Sequence, residues 1–494
     1  MKPLLTKSKY LSGVQCPAYL WLQINAPDKI PPFSDPAKHR MEEGTRVGEF
    51  ATKLYAKGIH IPTKDFKENL TKTKDLLKKR KPLFEPGFKY TTPNGDIFAR
   101  VDILLPVGKD KWDIIEVKSR TSVKDLNLHD VAFQKYLLEK CGLKIRKYFL
   151  CHVNSEFVKN GEIKPKDFFI VEDVCEGVDE LYGGVEGNIK GFFEIIALKK
   201  CPKVTKEDIL NSEYSNVAVD EFYDSLPEEN VFELCGIRKQ KALELYEKGI
   251  IKIKDIPPNV KLTSKQVIQK KCSLNGKNHE ECDEIRNFLN KLEHPLYYLD
   301  FETFSTVIPL FDKTKPYQAV PFQFSLHIVK KKDDKPKHIS FLADGRTDPR
   351  NTFLQALKDN LGGKGSIVVY NEGFEKGRIK ECIESFPEFE KWGQKILERI
   401  MDLLHPFKKF HFYHPKQKGG AGLKKVLPIF SKDVKYDDLV ISNGLDASVS
   451  YYKSHFEDVP AGEKAKIREA LEKYCELDTY AEIVLVEELE KLLI

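Results

Sequence analysis

Residues 297–303 read Tyr-Tyr-Leu-Asp-Phe-Glu-Thr, and this short run decides how the C-terminal half of the chain is interpreted. Its aromatic and apolar residues are typical of a buried β-strand. Asp300 and Glu302 are two positions apart, and residues two apart in a strand point to the same face of a sheet. Two carboxylates on one face of a rigid strand can bind a divalent cation.

A second motif lies near the C-terminus. Tyr474 and Asp478 are four positions apart in a strongly helical stretch, so they share one face of a helix. Carboxylates from two distant parts of the chain can hold two cations, and two cations about 3.5–4 Å apart support in-line hydrolysis of a phosphodiester. The alternative is that Asp300 merely ends a strand and that Asp478 merely faces water. The two motifs together favour the metal site.

Size and composition limit the classes of protein to consider. The chain has 494 residues, too many for one ordinary hydrophobic core, so two or three domains are expected. It lacks an apolar run of about 18 residues, so we expect no membrane span. The net charge of +6 permits nucleic-acid binding without indicating it. The ten cysteines form no Cys-x-x-Cys motif, so we expect reduced thiols and a cytoplasmic protein.

The pattern of apolar residues divides the chain into three zones. Residues 1–200 read as helices around a β-hairpin, with strands over residues 98–106 and 112–118. Residues 201–293 are charged and mostly helical, and we interpret them as a connector. Part of this connector resembles a helix-hairpin-helix module, with a plain helical linker as the alternative. Residues 294–494 begin with strands and end with helices, an order that predicts an α/β fold of the ribonuclease H-like class. The strands expected there cover residues 297–303, 321–329, 338–342 and 366–370.

Charged residues interrupt the apolar strands of the first zone. Asp102 lies in the first predicted strand, while Glu116 and Lys118 share a face of the second. A buried charge is costly unless it is paired or bound to a metal. This pattern resembles a PD-(D/E)xK nuclease site, in which Asp102 and Glu116 bind Mg²⁺ or Mn²⁺ and Lys118 orients the attacking water. The alternative is an aspartate at a turn and an exposed Glu–Lys pair.

A helix predicted over residues 130–139 follows these strands. It carries Gln134 and, close by, Tyr136. RecB-type nucleases have a glutamine and an aromatic residue at this place that contact the substrate. The resemblance therefore implies that Gln134 and Tyr136 bind nucleic acid.

A further carboxylate is expected between the two C-terminal motifs. Glu375 follows a predicted strand and opens a helix, in a segment that resembles the middle motif of DnaQ-like 3′→5′ exonucleases, where aspartate is usual. We assign Asp300 to both cations, Glu302 and Asp478 to the nucleophile side, and Glu375 to the leaving-group side. Tyr474 would orient the attacking water. The Tyr-x-x-x-Asp spacing marks the tyrosine variant of the DEDD exonucleases.

A basic stretch between His405 and Lys425 contains no acidic residue. Lysines bind phosphates and aromatic side chains stack on bases, so we interpret this stretch as the wall of a single-strand channel. The alternative is a solvated loop over an aromatic core. The lysines are Lys408, Lys409, Lys416, Lys418, Lys424 and Lys425, and the interleaved aromatic residues are Phe407, Phe410, Phe412 and Tyr413.

These motifs, with Ser-Gly-Val-Gln-Cys-Pro at residues 12–17 and Ile-Glu-Val-Lys-Ser at residues 115–119, resemble a prokaryotic family of unknown function. Its members fuse an N-terminal RecB/CRISPR-adaptation-type nuclease to a C-terminal DnaQ-like exonuclease. The resemblance implies a metal-dependent nuclease that hydrolyses phosphodiester bonds in DNA or RNA. The alternative is a nucleic-acid-binding scaffold whose N-terminal site is vestigial.

RecB-type nucleases of this kind often bind a [4Fe–4S] cluster through one early cysteine and three later ones. Cys16 matches the first position, but residues 211–225 contain no cysteine. Cys201 alone cannot complete four thiolates. We therefore expect no iron–sulfur cluster, with Cys16 as an ordinary buried thiol.

Overall fold

The structure is a computed structural model that describes residues 2–212, 216–436 and 438–494. It is a mixed α/β protein, as the sequence predicts. Among the described residues, no helix combines the length and the apolar character that a membrane span requires.

The chain forms two compact units rather than three zones. Unit 1 comprises Met1–Ser225 and Thr306–Tyr317, and unit 2 comprises Leu226–Ser305 and Gln318–Ile494. The predicted connector is therefore shared between the units, because its helices pack into small apolar clusters on either side of residue 225.

Unit 1 contains nine strands and nine helices among its described residues. The strands are β1 (Leu4–Thr6), β2 (Ile59–His60), β3 (Leu83–Phe84), β4 (Gly87–Thr91), β5 (Asp96–Arg100), β6 (Ile103–Val107), β7 (Lys111–Lys118), β8 (Lys144–Val153) and β9 (Phe169–Asp173). The helices are α1 (Lys7–Gln15), α2 (Pro17–Asn25), α3 (Asp35–Thr52), α4 (Phe66–Leu77), α5 (Asp125–Lys140), α6 (Pro165–Phe168), α7 (Cys175–Ile196), α8 (Lys206–Asn211) and α9 (Val217–Asp224).

These strands form a six-stranded sheet with the order β2-β3-β6-β7-β8-β9 and a three-stranded sheet with the order β1-β5-β4. In the larger sheet β7 is antiparallel to β6 and parallel to β8. Helix α5 makes the crossover that a parallel pair requires. The single strand predicted over residues 98–106 is wrong, because β5 pairs in one sheet and β6 in the other. Asp102 consequently lies between two strands, where the chain changes sheets.

Unit 2 contains seven strands and ten helices among its described residues. The strands are β10 (His279–Glu280), β11 (Leu296–Phe304), β12 (Val320–Val329), β13 (Lys337–Leu342), β14 (Ile367–Val369), β15 (Ile400–Asp402) and β16 (Phe412–Tyr413). The helices are α10 (Lys239–Glu247), α11 (Ser264–Asn275), α12 (Cys282–Leu289), α13 (Arg350–Asn360), α14 (Glu372–Ser385), α15 (Glu390–Leu397), α16 (Leu404–Lys408), α17 (Leu423–Phe430), α18 (Gly444–Phe456) and α19 (Ala461–Lys491).

The main sheet of unit 2 has the order β13-β12-β11-β14-β15. Strands β11, β12 and β13 are antiparallel, while β14 and β15 run parallel to β11. Helix α19 packs along β11 and β12. The four strands expected at the start of this zone are confirmed, and their ends agree with β11 to β14 to within one residue. Their alternating apolar pattern, together with the burial of one face, fixes their register.

Candidate active site

Strand β11 presents Asp300 and Glu302 to the face of the sheet that α19 covers. Leu299 and Phe301 alternate with them and enter the apolar core that β11 shares with α13 and α14. Asp300 and Glu302 therefore project from the opposite face. There the thiol of Cys475, from α19, lies with its Sγ 3.6 Å from Asp300 Oδ2.

Helix α19 brings Asp478 to the same place. Tyr474 and Asp478 are buried and lie about one turn apart on the helix. Carboxylate oxygens of Asp300, Glu302 and Asp478 lie within 4.8 Å of one another. The structure thus brings together three of the predicted ligands, which come from segments far apart in the sequence.

These three carboxylates repel one another. Burial and the charge of Asp478 raise the pKa of Glu302 to about 8, and burial raises the pKa of Asp478 to about 6. The pKa of Asp300 is raised well above its usual value by burial and by both neighbours. Their donors are neutral: the Tyr436 hydroxyl donates to Asp478 at 2.5 Å, and the Cys475 thiol faces Asp300. An oxygen-rich set with excess negative charge fits a hard cation such as Mg²⁺ or Mn²⁺.

Tyr474 is held beside this group by Lys424. The Lys424 ammonium donates to the Tyr474 hydroxyl at 3.1 Å and also contacts the carbonyl oxygen of Ser442. Burial and the charge of Asp478 raise the pKa of Tyr474, so its hydroxyl stays protonated. Because the hydroxyl oxygen accepts from Lys424, its own proton is available to a carboxylate or to a water molecule.

Glu375 lies next to the group but outside its closest contacts. It is in the first turn of α14 and only 2% exposed, and its Oε2 has no hydrogen-bond partner. Burial and the charge of Asp402 raise the pKa of Glu375 to about 8. The charge of Glu375 also helps to raise the pKa of Asp300. Glu375 is not, however, one of the three carboxylates whose oxygens lie within 4.8 Å of one another. It is therefore a peripheral acidic group in this structure.

The sequence interpretation missed Glu482. It is 1% exposed, and its Oε2 has no hydrogen-bond partner. Burial raises the pKa of Glu482 well above its usual value, with contributions from Asp300 and Glu375. The signal that could have found it is the four-residue spacing that Tyr474, Asp478 and Glu482 share on α19.

Asp402 was also missed, but its role is to hold the backbone. Its Oδ1 accepts from the backbone N–H groups of Asn371 and Leu404 at 2.9 and 3.0 Å. Asn371 precedes α14 with a left-handed φ of 99°. Asp402 therefore stabilises the turn that leads into the helix of Glu375.

The basic stretch does not have the predicted mixture of exposed lysines and exposed aromatic residues. All six lysines are exposed, but the four aromatic residues are at most 2% exposed. The expectation that these aromatics stack on bases is wrong, because they pack against one another and against Phe430. Of the lysines, Lys424 reaches the carboxylate group through Tyr474, and Lys418 pairs with Glu233 at 3.3 Å.

Unit 1 contains a second cluster of charged residues. The backbone N–H of Val117 donates to Asp102 Oδ2 at 2.7 Å, which ties the loop of Asp102 to β7. Lys118 donates to Glu116 at 2.6 Å and to Asp130 of α5 at 2.7 Å. The structure thus brings Asp102, Glu116 and Lys118 together as predicted. Asp130 was missed, although it lies four residues before Gln134 on the same helix.

Gln134 and Tyr136 are buried, so the structure does not support direct contact with a nucleic acid. Gln134 donates from Nε2 to Glu116 at 2.7 Å and to Asp130 at 2.8 Å. Tyr136 is 6% exposed and belongs to the main apolar core of unit 1. Gln134 therefore positions the carboxylates instead of reading a substrate.

A cleft of about 1470 Å³ opens onto this cluster. Asp102, Glu116 and Lys118 line it, together with Lys7 of α1, which the sequence interpretation also missed. Burial lowers the pKa of Lys7, but Asp130, Glu116 and Asp102 outweigh it and hold that pKa well above its usual value. Lys7 and Lys118 likewise outweigh burial and hold the pKa of Glu116 well below its usual value.

Cys16 is fully buried in a small apolar cluster with Ala218 and Val219. Burial raises the pKa of the Cys16 thiol to about 11. Part of the stretch compared with the cysteine-bearing segment, residues 213–215, lies outside the described residues. The expectation that no iron–sulfur cluster is bound stays a prediction.

Comparisons with known proteins find a family model and several relatives without an assigned function. The domain of unknown function DUF2779 matches residues 297–421. An uncharacterised protein of Ureaplasma parvum is 29% identical over 226 residues, which cover 41% of this chain and 32% of that protein. Uncharacterised proteins of Mycoplasma pneumoniae and Mycoplasma genitalium are each 27% identical and share 41% of this chain and 33% of their own length. The chain spans about a third of these relatives, and no solved structure matches it.

Proposed function

We propose that unit 2 is a metal-dependent phosphodiesterase of the DnaQ-like, tyrosine-variant DEDD type, acting as a 3′→5′ exonuclease on DNA or RNA. The observation that carries the proposal is the convergence of Asp300, Glu302 and Asp478 within 4.8 Å. The strand order of the main sheet, with three antiparallel strands followed by two parallel ones, supports a ribonuclease H-like fold.

Asp300, Glu302 and Asp478 would hold the cations, with Glu375 and Glu482 as outer acidic groups. Two divalent ions held there would make a water molecule more acidic and would offset negative charge on the phosphate. These carboxylates favour cation binding. Without cations their negative charges repel one another, so the fully charged state is unfavourable.

Tyr474 would orient the attacking water. The Tyr474 hydroxyl stays protonated, and its oxygen accepts a hydrogen bond from Lys424. The proton of the hydroxyl is therefore directed to another acceptor. Lys424 is itself exposed, and its ammonium can also meet a substrate phosphate at the edge of the site. The exposed lysines of the basic stretch would extend this contact along a single strand.

The test uses the full chain and single- and double-stranded DNA and RNA labelled at the 5′ end, with Mg²⁺ or Mn²⁺. We expect a ladder that shortens from the 3′ end, and a loss of roughly 100-fold or more in Asp300→Asn. Glu487→Gln, an exposed change on the same helix α19, is the matched control and should leave the ladder unchanged. If neither Asp300→Asn nor Lys118→Ala alters the products, the enzyme proposal fails.

For unit 1 we propose a PD-(D/E)xK-like fold with a nucleic-acid-binding cleft. The antiparallel pair β6–β7 with parallel β8 after a crossover helix, and the meeting of Asp102, Glu116 and Lys118, support it. Activity at this site is a second candidate function. If Lys118→Ala preserves every product while Asp300→Asn removes them all, unit 1 acts as a binding domain.

A further inference from the structure

The charged cluster of unit 1 differs from that of unit 2 in its balance of charge. In unit 2, Asp300, Glu302 and Asp478 receive hydrogen bonds only from neutral groups among the described contacts. In unit 1, the carboxylates of Asp102, Glu116 and Asp130 are met by two lysines. The contacts of these two lysines lie within unit 1 and do not depend on the function proposed for unit 2.

Lys7 takes a central position among these carboxylates. Its Nζ lies 2.8 Å from Glu116 Oε1, 3.7 Å from Asp130 Oδ1 and 3.8 Å from Asp102 Oδ1. The Lys7 ammonium is therefore the positive charge that these three carboxylates share in the structure. Lys118 binds two of the same carboxylates from the side, at 2.6 and 2.7 Å.

The backbone fixes where the Lys7 side chain starts. Strand β1 pairs in parallel with β5, with Thr6 opposite Phe98, and the Thr6 hydroxyl accepts from the backbone N–H of Lys9 at the start of α1. Lys7 is therefore the first residue of a capped helix beside the cluster. The Lys7 side chain is 22% exposed and lines the cleft, so its ammonium can move from the cluster into solvent.

The amide group of Gln134, which contacts the cluster through its nitrogen, also has a buried oxygen without a hydrogen-bond partner. Gln134 is fully buried, and its Nε2 donates to Glu116 and Asp130, while its Oε1 has no hydrogen-bond partner. Amide oxygens are ligands for hard cations. An unused amide oxygen therefore lies next to carboxylates that two lysines already contact.

We propose that the Lys7 ammonium is an internal cation that occupies the metal position of the unit 1 site, so that a divalent ion binds there only when Lys7 leaves. A divalent ion shared by Asp102 and Glu116 would lie against the ammonium, and two positive charges at such contact repel strongly. Removing the positive charge of Lys7, while keeping the length of its side chain, should therefore open the site to metal.

The experiment measures Mn²⁺ binding by electron paramagnetic resonance in the full chain. Asp300→Asn and Asp478→Asn are introduced first to remove the main carboxylate group of unit 2, so that the difference between Lys7→Met and this parent reports unit 1 whether or not unit 2 is an enzyme. In this background Lys7→Met should bind one Mn²⁺ at least tenfold more tightly than the parent. Lys53→Met, which removes another lysine of the cleft, should bind as the parent does. Equal or weaker binding in Lys7→Met overturns the proposal.

Two further variants separate charge from shape. Lys7→Arg keeps the positive charge and should bind Mn²⁺ as weakly as the parent, and a gain as large as that of Lys7→Met would overturn the proposal. Adding Glu116→Gln to Lys7→Met should abolish the gain, because it removes a carboxylate of the site. If Lys7→Met lowers the thermal midpoint, Mn²⁺ should restore it by more than it raises the midpoint of the parent. A failure of Mn²⁺ to do so contradicts the proposal even when the variant is too unstable for titration.

Discussion

Glu302→Gln should stabilise the metal-free protein while removing its activity. Glu302 is 6% exposed and faces Asp300 and Asp478, and burial with the charge of Asp478 raises its pKa from 4.5 to about 8. The folded state therefore keeps this proton up to about pH 8, whereas the unfolded chain releases it near pH 4.5. Because the folded state binds more protons across this window, its free energy of unfolding falls as the pH rises.

The size of the effect follows from the two pKa values. Between the pKa of Glu302 in the unfolded chain and its pKa in the folded protein, each pH unit lowers the free energy of unfolding by about 1.4 kcal/mol. At pH 7 the loss from Glu302 is roughly 3 kcal/mol, and glutamine, which does not titrate, avoids it. In a domain of this size 1 kcal/mol moves the thermal midpoint by ~2–4 °C. We expect Glu302→Gln to raise the midpoint of the metal-free protein by roughly 6–12 °C at pH 7.

The assay is differential scanning fluorimetry of the full chain in chelator between pH 5 and pH 8, followed by the same series with Mn²⁺. The gain should shrink towards pH 5, because the unfolded chain then begins to bind the same proton that folded Glu302 already holds. Mn²⁺ should stabilise the unmutated protein more than Glu302→Gln, because the variant lacks a ligand. Glu487→Gln serves as the control for an exposed glutamate. A lower midpoint in metal-free Glu302→Gln, or a gain that does not depend on pH, would refute the electrostatic argument.

Three further changes test individual side chains. Tyr474→Phe should lower kcat roughly 100-fold with little change in KM, measured by single-turnover hydrolysis, since only the water-orienting hydroxyl is lost; a change confined to KM would contradict this. Phe412→Ala should lower the free energy of unfolding of unit 2 by about 3–5 kcal/mol, measured by chemical denaturation. The folded variant should bind single-stranded nucleic acid as tightly as the unmutated protein. Weaker binding by fully folded protein would support base stacking by Phe412. Glu482→Gln should weaken Mn²⁺ binding roughly tenfold by titration calorimetry, and unchanged binding would leave Glu482 without a role at the site.

Sequence periodicity predicted the parts of the site that depend on neighbouring residues. Asp300 and Glu302 alternate with buried apolar residues along β11, and Tyr474 and Asp478 repeat at helical spacing along α19. The boundaries of β11 to β14 followed from the same alternation. Such patterns are local, because a strand or helix places its own residues on faces with a fixed period.

Charge balance and burial depend on contacts between distant segments. Lys7 meets Glu116 across 109 positions of the chain, and nothing in the Glu-x-Lys pattern indicates a second lysine there. Interleaved lysine and aromatic residues in the basic stretch suit either a base-stacking surface or a packed core, and only the neighbours of Phe412 distinguish the two.

The linear order of residues was therefore enough to identify the acidic pairs and the elements that carry them, because alternation within a strand and repetition within a helix are properties of the local backbone. The three-dimensional packing was needed to show that two lysines contact the carboxylates of unit 1, while the hydrogen bonds described for the carboxylates of unit 2 come from neutral groups. Electrostatic energy depends on distance in space and on exclusion of water, and neither quantity can be obtained from the spacing of residues along the chain.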